Sequence, residues 1–138
     1  MVTMRNRKRG LAVYLDVSGS VNQHLPSILA VLARLEGVLT SVLLFSTEVK
    51  EVPMRDVMRG KLVTTYGTSF DCVARSLIER QYQRAVLLTD GYATLSAHHT
   101  KHLTEANVRL LTVLFGNAKS CPALAPLGEV VQLTDVAA

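Results

Sequence analysis

Between Leu11 and Val17 the chain runs LAVYLDV, apolar apart from Asp16, with none of the polar alternation of a half-exposed strand. A continuous apolar run carrying Val and Tyr reads as a strand buried on both faces, the pattern of a parallel sheet. The same texture returns in SVLLF (Ser41–Phe45), RAVLLTDG (Arg84–Gly91), VRLLTVLF (Val108–Phe115) and EVVQL (Glu129–Leu133). One segment differs. In STEVKEVP, Val49 and Val52 alternate briefly with charged residues before Pro53, which predicts a short antiparallel edge strand.

Between these runs the apolar period lengthens to that of a helix. Leu25, Ile28, Leu29, Leu32 and Leu35 predict a helix over Gln23–Glu36, with Pro26 in its first turn and Gly37 closing it. Phe70–Arg80 and Ala97–Ala106 read as two further helices. Strand and helix in alternation predict an α/β, Rossmann-like three-layer α/β/α fold. Its central sheet is mostly parallel, with one short antiparallel edge strand and helices on both faces. There is no internal repeat, low-complexity tract or Gly/Ser linker, so residues 11–136 read as a single domain behind a basic leader, residues 1–10.

Composition narrows the class. The 138 residues are 49% apolar and 19% charged, which is globular usage. No apolar run approaches the ~18 residues of a membrane span. The basic start MVTMRNRKRG is not followed by the apolar core and cleavage site of a secretory signal. Two cysteines, Cys72 and Cys121, make no disulfide framework, so a cytoplasmic setting is expected. The net charge of +4 owes much to Arg5, Arg7, Lys8 and Arg9, read as a solvated leader.

Open sheets of this kind bind ligands beyond the carboxyl ends of their strands. Asp16, Ser18 and Ser20 follow the first strand; Asp90 follows the fourth strand, counting the edge segment; Thr68, Ser69 and Asp71 stand in the loop before the second long helix. Each of these places supplies oxygen donors. Two carboxylates with several hydroxyls suit a hard divalent cation such as Mg2+, which keeps several waters and needs few carboxylates.

The stretch DVSGS resembles the D-x-S-x-S motif of von Willebrand factor A-type domains. Thr68 in YGTSFD and Asp90 in LLTDGY stand where that family has its later Thr and Asp, and the likeness runs from Leu11 to about Leu133. Together the three pieces resemble the family's metal-ion-dependent adhesion site, and the compact, bacterial-type members most of all. Two departures are visible. Those members commonly carry a double glycine before the Thr and an Asp directly after it, whereas here Tyr66-Gly67 precedes Thr68 and Asp71 comes three residues later; the chain is also shorter than most domains of the family.

The resemblance implies that Ser18 and Ser20 bind Mg2+ (with Mn2+ or Ca2+ as substitutes) through their hydroxyls. It assigns Asp16 and Asp90 a role through bridging waters, and Thr68 one directly or through water. It further implies a protein partner whose Glu or Asp carboxylate completes the metal, in a setting beside AAA-type ATPases or within multi-protein bacterial systems. A cation held mostly by neutral hydroxyls keeps charge with which to attract that carboxylate.

Other readings compete residue by residue. Asp71 reads as a helix cap, Thr89 as a buried strand residue, Cys72 as a small core residue and Cys121 as a loop thiol. His98, His99 and His102 read as a solvated helix face, since a zinc protease needs Glu where His99 stands. His24 starts a helix without a nameable partner, and Tyr92 could border the site. Catalysis is not expected. A phosphoryl-accepting Asp wants a second Asp two residues on, where Ser18 stands; Ser18 lacks a nucleophile elbow; no phosphate-binding glycine loop occurs. A Mg2+-dependent phosphatase is the residual enzyme reading. An RNA-associated module using the basic leader, as in Ro-type proteins of the same family, ranks below the protein-interaction reading because no aromatic residues interleave the basic ones.

Overall fold

In the computed structural model the described residues are 11–17, 20–35, 39–59, 67–91, 93–116 and 119–133. The leader 1–10, Ser18, Gly37, Tyr66, Tyr92 and the domain end at 134–136 lie outside them. Strand β1 (Leu11–Asp16) leads through a 3-10 turn (Ser20–His24) into helix α1 (Leu25–Leu35). Then come β2 (Leu39–Phe45), β3 (Val49–Val52), short α2 (Met54–Met58), α3 (Phe70–Glu79) and β4 (Arg84–Thr89). Helix α4 (Ala97–Glu105), β5 (Arg109–Leu114), a second 3-10 turn (Ala125–Leu127) and β6 (Val130–Gln132) complete the order.

The six strands form one sheet in the order β3-β2-β1-β4-β5-β6, parallel throughout except for the antiparallel edge strand β3. This is a Rossmann-like α/β architecture. The apolar run of β1 occupies the middle of the sheet, with Val13 opposite both Val42 and Val86. Its side chains then divide between two cores. Ala12 and Tyr14 join Leu43, Phe45 and Leu87 beneath Phe70, Val73 and Leu77 of α3 and Leu103 of α4. Val13 and Leu15 join Val42, Val86 and Leu88 beneath Ile28 and Leu32 of α1 and Val57 of α2. Burial on both faces explains the missing alternation, and each such side chain contributes about 1.5–3 kcal/mol of hydrophobic stabilisation.

Two tyrosines place hydroxyls in this packing with partners supplied. Tyr14 Oη and Ser76 Oγ are 2.8 Å apart, and Tyr82 Oη donates to Ser41 Oγ at 2.8 Å. Burial pushes the Tyr14 phenol up to about 12, with the Ser76 hydrogen bond pulling the other way.

Helix α2 was not foreseen from the sequence: five residues are too few for a helical period to show, and only Val57 among its described side chains is buried. The 3-10 turn at Ala125–Leu127 was missed for the same reason. Cys121 is a free thiol in a loop, as read. It is 2% exposed and packs with Leu124 and Leu127. Among the described residues no helix is long and apolar enough to cross a membrane.

Candidate metal centre

The strand order reverses between β1 and β4, which lie side by side while their connections run to opposite ends of the sheet. Such a switch opens a crevice at the carboxyl ends of the two strands. Asp16 closes β1 there and Thr89 closes β4. The Thr89 hydroxyl donates to Asp16 Oδ2 at 2.7 Å, with Thr89 0% and Asp16 1% exposed. The Thr89 Oγ1 also accepts the Gly91 N–H at 3.1 Å. Gly91 has φ +86°, the left-handed region that favours glycine, and so lets the chain turn back on Thr89 immediately after Asp90.

The Thr68 loop reaches the same edge by another route. The Ser69 N–H donates to the Ser46 carbonyl at 2.7 Å, which fixes the loop to the residue that follows β2. Gly67, at φ +81°, faces Thr47, whose Cγ2 would stand 3.4 Å from an added Cβ. Thr68 and Asp90 are both half-buried. Thus the ends of β1, β2 and β4 bring Asp16, Thr68 and Asp90 to one edge of the sheet. Ser18 lies outside the described residues. Ser20 opens the 3-10 turn, where only its backbone is described. Just past the end of β5, the His24 ring packs on Phe115 with centroids 5.5 Å apart, which gives that histidine the partner its sequence context did not reveal.

Asp71 was read as a helix cap, and the structure corrects this. Helix α3 is capped by Ser69 without a side-chain hydrogen bond. Asp71 Oδ1 instead accepts the Ser96 backbone N–H at 2.9 Å and faces His99 Nδ1 at 2.6 Å. It therefore ties the start of α3 to the start of α4. Partial burial alone would raise its pKa, but the hydrogen bonds from Ser96 and His99 outweigh that and hold the carboxyl below its usual range. His99 likewise departs from the expected solvated face, whereas His98 and His102 are exposed as expected.

Thr89 makes the contact to Asp16 that sequence reasoning did not assign. It was read correctly as a buried strand residue, yet its bond to Asp16 spans 73 positions and has no local signature. Cys72 is a core residue as read. Burial pushes its thiol up to about 11, and Sγ points at the Ser69 carbonyl at 3.0 Å.

Neither a family model nor a curated protein sequence matches the chain. Solved structures do. An aerotolerance-related membrane protein from Bacteroides fragilis, carrying multiple mutations to serine, superposes with a TM-score of 0.58 at 13% identity, over 78% of this chain and 67% of that one. Proximal thread matrix protein 1 from the mussel byssus superposes with a TM-score of 0.66 at 18% identity, over 94% of this chain. This chain spans only 44% of the byssus protein. At these identities the likeness is one of fold.

The donor chemistry at the switch point fits a hard cation. Asp16, Ser18, Ser20, Thr68 and Asp90 offer oxygen alone, with no imidazole or thiolate among them. Among the described residues no group of three or more His, Cys, Asp or Glu side chains is placed to hold a metal. A set of two carboxylates and three hydroxyls has a different make-up from such a group, and part of it, Ser18 and the Ser20 side chain, lies beyond the described atoms.

Proposed function

We propose that the chain is a von Willebrand factor A-like, metal-dependent protein-interaction module. In this reading Asp16, Ser18, Ser20, Thr68 and Asp90 hold Mg2+ at the carboxyl edge of the sheet. The observation that supports it most is the buried Asp16–Thr89 pair at the strand-order switch, with Thr68 and Asp90 on the same edge. Burying a carboxylate is costly unless it is paired. Thr89 meets part of that cost and fixes which way Asp16 faces. Asp90 follows directly, and the Gly91 turn sets its position.

Mg2+ bound there would supply an electrophilic centre for an acidic Glu or Asp side chain of a partner protein. In this reading the protein's own residues orient that centre and keep the strand ends together, and the module acts by binding rather than turnover. A cytoplasmic partner within a multi-protein assembly suits this reading.

Thermal unfolding in Mg2+ and in EDTA tests it. Free metal at a hundredfold over Kd adds roughly 2.7 kcal/mol, which raises Tm by about 10 °C for a domain of this size. The rise disappears in Asp90→Asn and Thr68→Ala, both at half-buried positions, with circular dichroism in EDTA checking that each variant folds. Absence of any Mg2+ response in the wild type, with and without a Glu-bearing peptide, overturns the reading.

A further inference from the structure

Helix α4 carries three histidines that the switch-point site leaves unused, and the structure sorts them. His99 turns towards α3, where Nδ1 meets Asp71 at 2.6 Å and Ser96 Oγ at 3.0 Å. His98 and His102 stay exposed, one helical turn apart, with ring centroids separated by 6.4 Å. Neither imidazole hydrogen-bonds to a described residue, and both side chains are open to solvent. The His99 ring lies 5.1 Å from that of His98, but its Nδ1 is already engaged by Asp71.

We propose that His98 and His102 form a two-imidazole site for a borderline divalent cation of the zinc class, separate from the oxygen site at the strand ends. Residues four apart on a helix have Cβ atoms about 5–6 Å apart, so two imidazoles can close on one ion. With Zn–N distances of about 2.0–2.1 Å, the two rings need to close from 6.4 Å to roughly 5 Å. Exposed side chains make such rotamer changes freely on the ps–ns scale.

The helix beneath them is anchored, which keeps the pair in register. Ser96 caps it by accepting the His99 N–H, Leu103 is buried, and the Asp71–His99 contact fixes its first turn to α3. Two charged neighbours face the same way: Lys101, three positions after His98, opposes a cation, and Glu105, three after His102, offsets it. No third protein ligand converges among the described residues, so water takes the remaining positions.

Ligand type separates this site from the first. Imidazole suits Zn2+, Ni2+ and Cu2+, whereas Mg2+ keeps to oxygen. The buried cysteines do not compete for zinc: burial raises both thiols, so they hold their protons at neutral pH.

Calorimetric titration of the folded chain with Zn2+ near pH 7.5 tests the assignment. Affinity falls at least tenfold in His98→Ala and in His102→Ala, while His24→Ala and millimolar Mg2+ leave it unchanged. Because both side chains are exposed, unchanged circular dichroism will certify that each variant is folded. With Ni2+ as probe, paramagnetic broadening selects the His98 and His102 ring resonances and spares His24. Wild-type affinity in the double variant, dependence on only one of the two histidines, or no zinc binding up to millimolar concentration would each overturn the proposal. None of these outcomes depends on the Mg2+ response at the strand ends.

Discussion

Two strand threonines are both 0% exposed, and the same substitution at each should move stability in opposite directions. Thr89 donates to Asp16 Oδ2 at 2.7 Å and accepts the Gly91 N–H at 3.1 Å. Thr112, on β5, has no hydrogen-bond partner for Oγ1 among the described residues. Valine keeps the branched shape and replaces the hydroxyl with a methyl group. In Thr89→Val the lost bond to a carboxylate costs about 1.5–3 kcal/mol, and the bond from Gly91 about 1 more. In Thr112→Val the change removes a buried hydroxyl that is already unpaired, and stability rises by about 1 kcal/mol. The variants therefore separate by about 4 kcal/mol, or roughly 12–20 °C in Tm for a chain of this length. Urea and thermal unfolding in EDTA measure the difference without metal linkage. If Thr89→Val matches the wild type within about 1 kcal/mol, the Thr89 bond does not hold Asp16 and the site argument loses its anchor. If Thr112→Val is the more damaging of the two, the reasoning on buried hydroxyls fails.

Gly128, at φ +157°, precedes β6, and a Cβ there would collide with the Leu110 carbonyl oxygen and lie 3.0 Å from its carbon. Gly128→Ala should lose about 3 kcal/mol or more, read as a drop in urea midpoint at unchanged slope. Alkaline pH should unfold the protein through its buried acids. Cys72 moves from 9.0 to about 11 and Tyr14 from 10.0 to about 12, so the unfolded state ionises first. Their contribution is complete below pH 9 and is lost as pH rises towards 11–12, about 2–3 kcal/mol each. Tyrosinate absorbance and thiol-reagent uptake should both track the unfolding transition; reaction of either cysteine in the folded protein at pH 8 contradicts this. At the acid end, the lowered Asp71 pKa stabilises the fold above the ordinary 3.8 and is lost as pH falls through the depressed value. Asp71→Asn should flatten that acid limb of the stability profile, and an unchanged limb refutes the role of the α3–α4 tie.

Periodicity records which faces of an element are buried, and that much of the fold was legible. The apolar runs read at Leu11–Val17 and Arg84–Gly91 form β1 and β4 in the middle of the sheet, and the one alternating segment is the edge strand β3, as its pattern and Pro53 require. Strand ends agreed within about two residues because the polar residues that stop each run also end each ladder. Periodicity does not record which elements become neighbours. The Asp71–His99 contact spans 28 positions and the Thr89–Asp16 bond 73, and both exist only because the sheet order and helix packing bring the partners together. Asp71 was read by its local role, as a cap, since nothing near it names the far end of the contact.

The two proposed sites fall on opposite sides of that division. The His98–His102 spacing is local, so the sequence already places both rings on one helix face; what the structure adds is that His99, the nearest competitor, has its Nδ1 tied to Asp71. The residues of the proposed oxygen site are dispersed along the chain; of those described, Asp16 and Asp90 reach one edge because β1 and β4 are parallel neighbours, and Thr68 reaches it through the loop that Ser69 ties to Ser46. Thr89 shows the consequence. A residue at 0% exposure on a central strand would ordinarily count as core, yet its hydroxyl donates to the buried Asp16. Removing its hydroxyl should thus weaken Mg2+ binding as well as the fold, whereas removing the unpaired hydroxyl of Thr112 should leave Mg2+ binding untouched. Titrating both valine variants with Mg2+ separates a threonine that positions a ligand from one that only fills space.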